Sequence, residues 1–176
     1  MLYIICVRLG LKLFINLAGE VKFNVGIVSF FRIQKPFALG QVHHVANFHV
    51  KHSAYYDLGA YCRMYFFTET GTTIQLLLEH KLGPVLLREE CVFRRELHFG
   101  DKVTIDLKLK KANPDYSRWT LVHEIYKNND ELSAVITVDG AWMDTAHRKL
   151  VAAPEFANKT LESLELAPDF EWTEKR

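Results

Sequence analysis

Four of the chain's eight histidines fall within His43-His44-Val45-Ala46-Asn47-Phe48-His49-Val50-Lys51-His52. Imidazoles at this density suit three kinds of chemistry. They can ligate a metal, but the cluster holds no carboxylate and its spacing matches no zinc pattern, so no metal is expected. They can be strand-end side chains, exposed or bonded to the backbone. Or they can position a ligand where a strand runs into a helix. Such a junction supplies free backbone N–H groups and the positive end of a helix dipole to an oxygen gaining negative charge.

The elements that must hold this cluster follow from hydrophobic spacing. Residues 37–47 carry β-favouring side chains on both sides of Gly40 and predict a strand. Over 53–67, Ala54, Leu58, Tyr61, Cys62 and Tyr65 recur at steps of three and four, which predicts a helix with one apolar stripe. Ser53 is the expected N-cap, and Asp57 lies in or just beyond the first turn, where the dipole favours a negative charge. Gly59 weakens a helix, so it is expected to mark close packing against a sheet. Residues 72–81 predict a further short helix before Gly83-Pro84.

From 85 to 144 the chain reads as strands. Val103, Ile105, Leu107 and Leu109 alternate with polar residues, a period of two with one buried face. Asn113-Pro114-Asp115 is a turn, residues 119–126 and 132–143 are strands, and 127–131 is the loop between them. A long helix followed by an antiparallel meander is an α+β architecture in which the sheet buries its apolar face on the helix. Pro154 is expected to close the domain, with a tail or peripheral helix over 155–176 that leaves Trp172 exposed.

The bulk properties set limits. At 176 residues the chain suits one domain, and a net charge of +1 with 24% charged residues offers no basic stripe for nucleic acid. Cys6, Cys62 and Cys91 form neither a disulfide framework nor a metal pattern, so three reduced thiols in a cytoplasmic protein are expected. Residues 1–31 are apolar but interrupted by Arg8, Lys12, Gly19 and Gly26. They are expected to form an extra strand or amphipathic extension, with no membrane contact.

The stretch Asn47-Phe48-His49-Val50-Lys51-His52-Ser53-Ala54-Tyr55 resembles the N-x-H-V/M-N-N-x-x-Y signature of hotdog-fold thioesterases. That group includes the 4-hydroxybenzoyl-CoA thioesterase-like enzymes and the plant acyl-carrier-protein thioesterases. Phe93-Arg94-Arg95-Glu96-Leu97-His98-Phe99-Gly100-Asp101 resembles the family's F/Y-x-R-x-L-x-x-G-D block. Leu121 to Ile125 resembles its next strand, and Ala141-Trp142-Met143-Asp144 its closing strand. The resemblance covers residues 37–154 in order.

It implies a hotdog fold: an antiparallel sheet of five to six strands wrapped around a central helix, over residues 32–154. It further implies a homodimer or homotetramer whose acyl-thioester site lies between subunits. The substrate would be an acyl-CoA or acyl carrier protein thioester, with no cofactor beyond the CoA that is part of the substrate. The backbone N–H at the start of the helix would polarise the thioester carbonyl and falls here at His52, with Ser53 and Tyr55 beside it as substrate-binding residues. Asn47 and His49 match the Asn and His of the plant active site.

One position departs from the pattern. Val45 stands where the family usually has a catalytic Asp, and valine can neither take a proton nor attack a carbonyl. Glu96 resembles the glutamate of the plant Y-R-R-E segment and is the expected substitute, unless it merely pairs with Arg94 or Arg95. Asp57, one helical turn beyond Ser53, is the other candidate. The expectation is an acyl thioester hydrolase. The alternative is a non-catalytic acyl-CoA-binding protein of the same fold.

Overall fold

In the computed structural model of the chain, residues 32–35, 49–98, 100–128 and 131–174 are described. Residues 1–31, the strand expected over 37–47, and with them Val45 and Asn47, lie outside the described residues.

Helix α1 spans His52–Glu69. Ala54, Leu58 and Cys62 are buried as their spacing predicts, together with Tyr55, Gly59, Arg63, Phe66 and Phe67. Tyr61 is instead on the exposed side, stacked on Tyr65 with ring centroids 6.2 Å apart. The buried stripe is therefore rotated toward Tyr55, Gly59 and Arg63. Gly59 marks the close approach expected of it: a Cβ there would lie 3.3 Å from both Arg63 Nη1 and Ile136 Cδ1. The helix start differs from expectation. Lys51, with an extended backbone, is the N-cap residue, and no side chain caps the helix, so Ser53 falls inside the first turn. The reason is the preceding residue, whose N–H is drawn to the Leu97 carbonyl at 2.8 Å and holds the chain extended up to Lys51.

The expected short helix is α2, Ile74–Glu79, capped by Thr73, whose Oγ1 accepts from the Leu76 N–H at 3.2 Å. The strands are β1 Arg32–Lys35, β2 Leu82–Phe93, β3 Val103–Asp106, β4 Lys108–Ala112, β5 Arg118–Lys127, β6 Glu131–Asp144, β7 Lys149–Val151 and β8 Glu165–Trp172. Among the described residues they form one eight-stranded sheet. β2 pairs with β6 and β6 with β5; β3 and β4 then share the far edge of β5. β1 continues beyond β3, β8 beyond β4, and β7 extends the end of β6.

The meander and its antiparallel pairing are as expected, but the sheet has more strands than the five or six expected. The 103–112 run divides at Leu107, and β7 and β8 are additions. Where a tail or peripheral helix was expected, the chain forms helix α3, Glu155–Glu162, and then β8 returns to pair parallel with β4. Trp172 is exposed, as expected.

The inner face of the sheet buries Leu121, His123 and Ile125 of β5 and Ala134, Ile136 and Val138 of β6 against α1. At the far end Trp142 is fully buried, stacked on Phe67 at 5.8 Å and edge-on to Trp119 at 6.4 Å. Alternation fails in β3, where all four residues are buried, Thr104 and Asp106 included.

Candidate active site

The segment from the end of β2 to the start of β3 crosses the N-terminus of α1, and six hydrogen bonds to its backbone place it there. Ser133 of β6 accepts on its carbonyl from the N–H groups of Arg94 and Arg95, at 2.8 and 2.9 Å, and returns its hydroxyl to the Arg95 carbonyl at 2.7 Å. Lys127 Nζ donates to the Glu96 carbonyl at 2.6 Å. The fully buried Leu97 donates its N–H to the Tyr55 hydroxyl at 3.1 Å and accepts the Val50 N–H. His49 and His98 then face each other across an antiparallel bridge.

These tethers enclose a pocket of about 310 Å³ lined by His49, His52, Tyr55, Phe93, Arg94 and Glu96, among others. Tyr55 and Phe93 meet edge-on at 5.0 Å and form its apolar wall. Burial holds the Tyr55 phenol above its ordinary range, against the lowering effect of its bond from Leu97. The first N–H groups of α1 lie at the same place, without a side-chain cap. Glu96 does not pair with a neighbouring arginine. Arg95 bonds to Glu131 at 2.5 Å, while Glu96 Oε1 lies 3.8 Å from His49 Nδ1.

The structure thus brings His49, His52, Tyr55 and Glu96 to one pocket. Ser53 is half-buried in the first helical turn but does not line it. Asp57 is exposed beyond the first turn and is also absent from the lining. Asn47 lies outside the described residues. A larger depression of about 700 Å³, lined by residues such as Lys111, Arg118 and Trp172, contains none of the candidate site residues. Among the described residues no cluster could hold a metal ion, and no helix is long and apolar enough to cross a membrane.

Sequence reasoning missed two polar groupings. His98 joins Glu96 from the opposite side, a placement set by the bridge to His49 and invisible in local spacing. In the core, Arg63 of α1 reaches both Glu89 of β2 and His123 of β5. Burial, then the Arg63 charge, push the His123 imidazole down to about 3, so it is neutral. Both described thiols are free, and burial raises each, Cys91 to about 11.

A long central helix held against a mixed, mostly antiparallel sheet is the arrangement of the hotdog fold. The chain belongs to the thioesterase-like superfamily, whose sequence profile matches residues 39–161. No protein of curated function matches it. Among solved structures it is similar to a hypothetical protein of Staphylococcus aureus in complex with CoA, with TM-score 0.72 and 20% identity over 86% of this chain and 94% of that one. It is also similar to a 1,4-dihydroxy-2-naphthoyl-CoA thioesterase from Synechocystis, with TM-score 0.64 and 14% identity over 75% and 94%. A thioesterase from Thermus thermophilus, complexed with coenzyme A and zinc, gives TM-score 0.63 and 18% identity over 76% and 92%. At these identities the likeness establishes the fold.

Proposed function

We propose that the protein hydrolyses the thioester of an acyl-CoA or an acyl carrier protein in the pocket between the start of α1 and the end of β2. The observation that carries this is the approach of Glu96 Oε1 to His49 Nδ1 beside an uncapped helix N-terminus. Glu96 is the base and His49 positions the water, with Asn47 as its partner. The His52 N–H polarises the carbonyl oxygen. As the water oxygen bonds to the carbonyl carbon, Glu96 takes its proton. As the tetrahedral intermediate collapses and the C–S bond breaks, that proton passes to the thiolate, and the carboxylic acid loses its own to solvent.

A second copy of the chain belongs to this reading. Among the described residues β2 pairs only with β6, and it exposes Leu86, Leu87, Val92 and Phe93. An unpaired edge with apolar side chains invites another strand. Each such side chain, if fully buried, contributes about 1.5–3 kcal/mol. The pocket sits at the end of this strand, so a partner added there would adjoin it.

The test is thiol release from a panel of acyl-CoA esters, with light scattering on the same sample. Turnover that is lost in Glu96→Gln and in His49→Ala, by a dimer or tetramer, is the expected result. No turnover above background for any thioester, or full turnover by the double variant, overturns the hydrolase. Val45 supports one other reading, an acyl-CoA-binding protein without turnover, which the same panel would reveal as saturable binding alone.

A further inference from the structure

Glu96 has a second imidazole beside it. His98 Nε2 lies 3.5 Å from Glu96 Oε2, while His49 Nδ1 lies 3.8 Å from Oε1, so the two carboxylate oxygens face different rings. On its far side His98 turns Nδ1 toward Asp101 Oδ2, 3.9 Å away. Asp101 is the fixed end of the row. Its Oδ2 accepts the His98 backbone N–H at 2.8 Å and its Oδ1 accepts from Asn128 Nδ2. Lys127 of β5 donates from Nζ to the Glu96 carbonyl, and Arg94 and Arg95 line the same pocket, with Arg95 held by Glu131. Imidazole, carboxylate, imidazole and carboxylate thus alternate from His49 to Asp101.

The Glu96 side chain is 65% exposed, so little packing restricts it. A free glutamate samples many rotamers, at an entropic cost approaching about 2 kcal/mol when it is fixed. A base must nevertheless sit within hydrogen-bond reach of the proton it removes. We propose that His98 is the positioning residue that solves this: it holds Oε2 of Glu96, so that Oε1 is presented to the water beside His49. The inference rests on the assignment of Glu96 as the base. His98 keeps its own protons throughout; the water proton travels only to Oε1 and on to the thiolate.

The experiment is steady-state kinetics of His98→Ala, His98→Gln, Glu96→Gln and the Glu96→Gln/His98→Ala double variant on the best acyl-CoA. His98→Ala should lower kcat roughly tenfold, a share of what a well-placed base contributes, with KM within about twofold. His98→Gln, whose amide can still donate to Oε2, should recover most of the loss. In the Glu96→Gln background His98→Ala should cost nothing more. Equal losses in both backgrounds overturn the inference and leave Glu96 as the base. Full turnover by Glu96→Gln removes the base and the inference with it. A readout without turnover is the His49 imidazole cross-peak in NMR. It should move on His98→Ala in the wild-type chain and stay put when Glu96 is Gln. No movement, or the same movement in both, overturns the inference.

Discussion

Arg63 Nη1 donates to Nε2 of His123 across 3.1 Å in the middle of the apolar core, and Arg63 Nη2 lies 3.1 Å from Glu89 Oε1. The bond fixes the imidazole as the tautomer that donates from Nδ1, which meets the Asp106 carbonyl at 3.0 Å. One side chain of α1 thereby joins β2 to the central strand β5, and through Asp106 to β3. Replacing Arg63 by Met leaves the Glu89 carboxylate and the His123 acceptor without their shared donor. Breaking a buried pair from one side costs about 3–5 kcal/mol. Urea unfolding of Arg63→Met, Glu89→Met and the double variant at neutral pH should give a single-variant loss of that order for Arg63. The double variant should lose about 1 kcal/mol or more less than the sum. A loss below about 1 kcal/mol for Arg63→Met would deny the bridge its role.

His123 also makes stability depend on pH. Its folded value, about 3, lies below the ordinary imidazole value of 6.5, because burial and the Arg63 charge oppose a second proton. Below about pH 6.5 the unfolded chain therefore takes up a proton that the folded chain refuses. Stability is fully present above that value and is lost as pH falls from about 6.5 toward 3. The slope from this one group approaches about 1.4 kcal/mol per pH unit. Carboxylates contribute in the same window, so the comparison is with His123→Gln. Unfolding free energies at pH 7, 6, 5 and 4 should fall less steeply in the variant, and parallel curves would contradict the assignment.

Gly140 and Trp119 face each other in register between β6 and β5, and the indole ring lies over the glycine where a side chain would begin. A Cβ at Gly140 would overlap three ring carbons of Trp119, itself 3% exposed and edge-on to Trp142. Gly140→Ala should therefore destabilise by about 1–3 kcal/mol or more, as overpacked cores do. Trp119→Leu has its own cavity cost, yet adding Gly140→Ala to it should cost little further. Thermal unfolding of the four chains checks this, and additive losses would show that the indole can move aside.

The spacing of Ala54, Leu58 and Cys62 made α1 legible in the sequence, and Gly59 announced the close approach of the sheet. Asn113-Pro114-Asp115 announced the turn between β4 and β5. Strand β8 was not legible, because Glu165–Trp172 contains Pro168 and three acidic residues with no clean alternation. It is a strand through its pairing with β4, which skips from Leu166 to Glu171 around the proline, as an edge permits. The role of Arg63 was not legible, since nothing local announces Glu89 and His123. His49 and Glu96 were singled out through a family resemblance. Their proximity, and the presence of His98, depend on the Leu97 and Ser133 tethers, which join residues far apart in the chain.

Tyr55 links the stability of this site to its geometry. Its hydroxyl takes the N–H of Leu97, the residue between Glu96 and His98, and Leu97 has no exposure to water. Tyr55→Phe keeps the ring against Phe93 but strands that N–H, and a buried unsatisfied donor costs about 1–3 kcal/mol. Tyr55→Leu should cost more, since it also removes the edge-on ring contact. If the loop relaxes to find water, Glu96 moves with it. Tyr55→Phe should then lose kcat severalfold at a temperature where it is still fully folded, with a smaller change in KM. Urea unfolding and steady-state kinetics on the same preparation separate the two effects. A Tyr55→Phe chain as stable and as active as the original would show that Leu97 and the carboxylate beside it are held by other means.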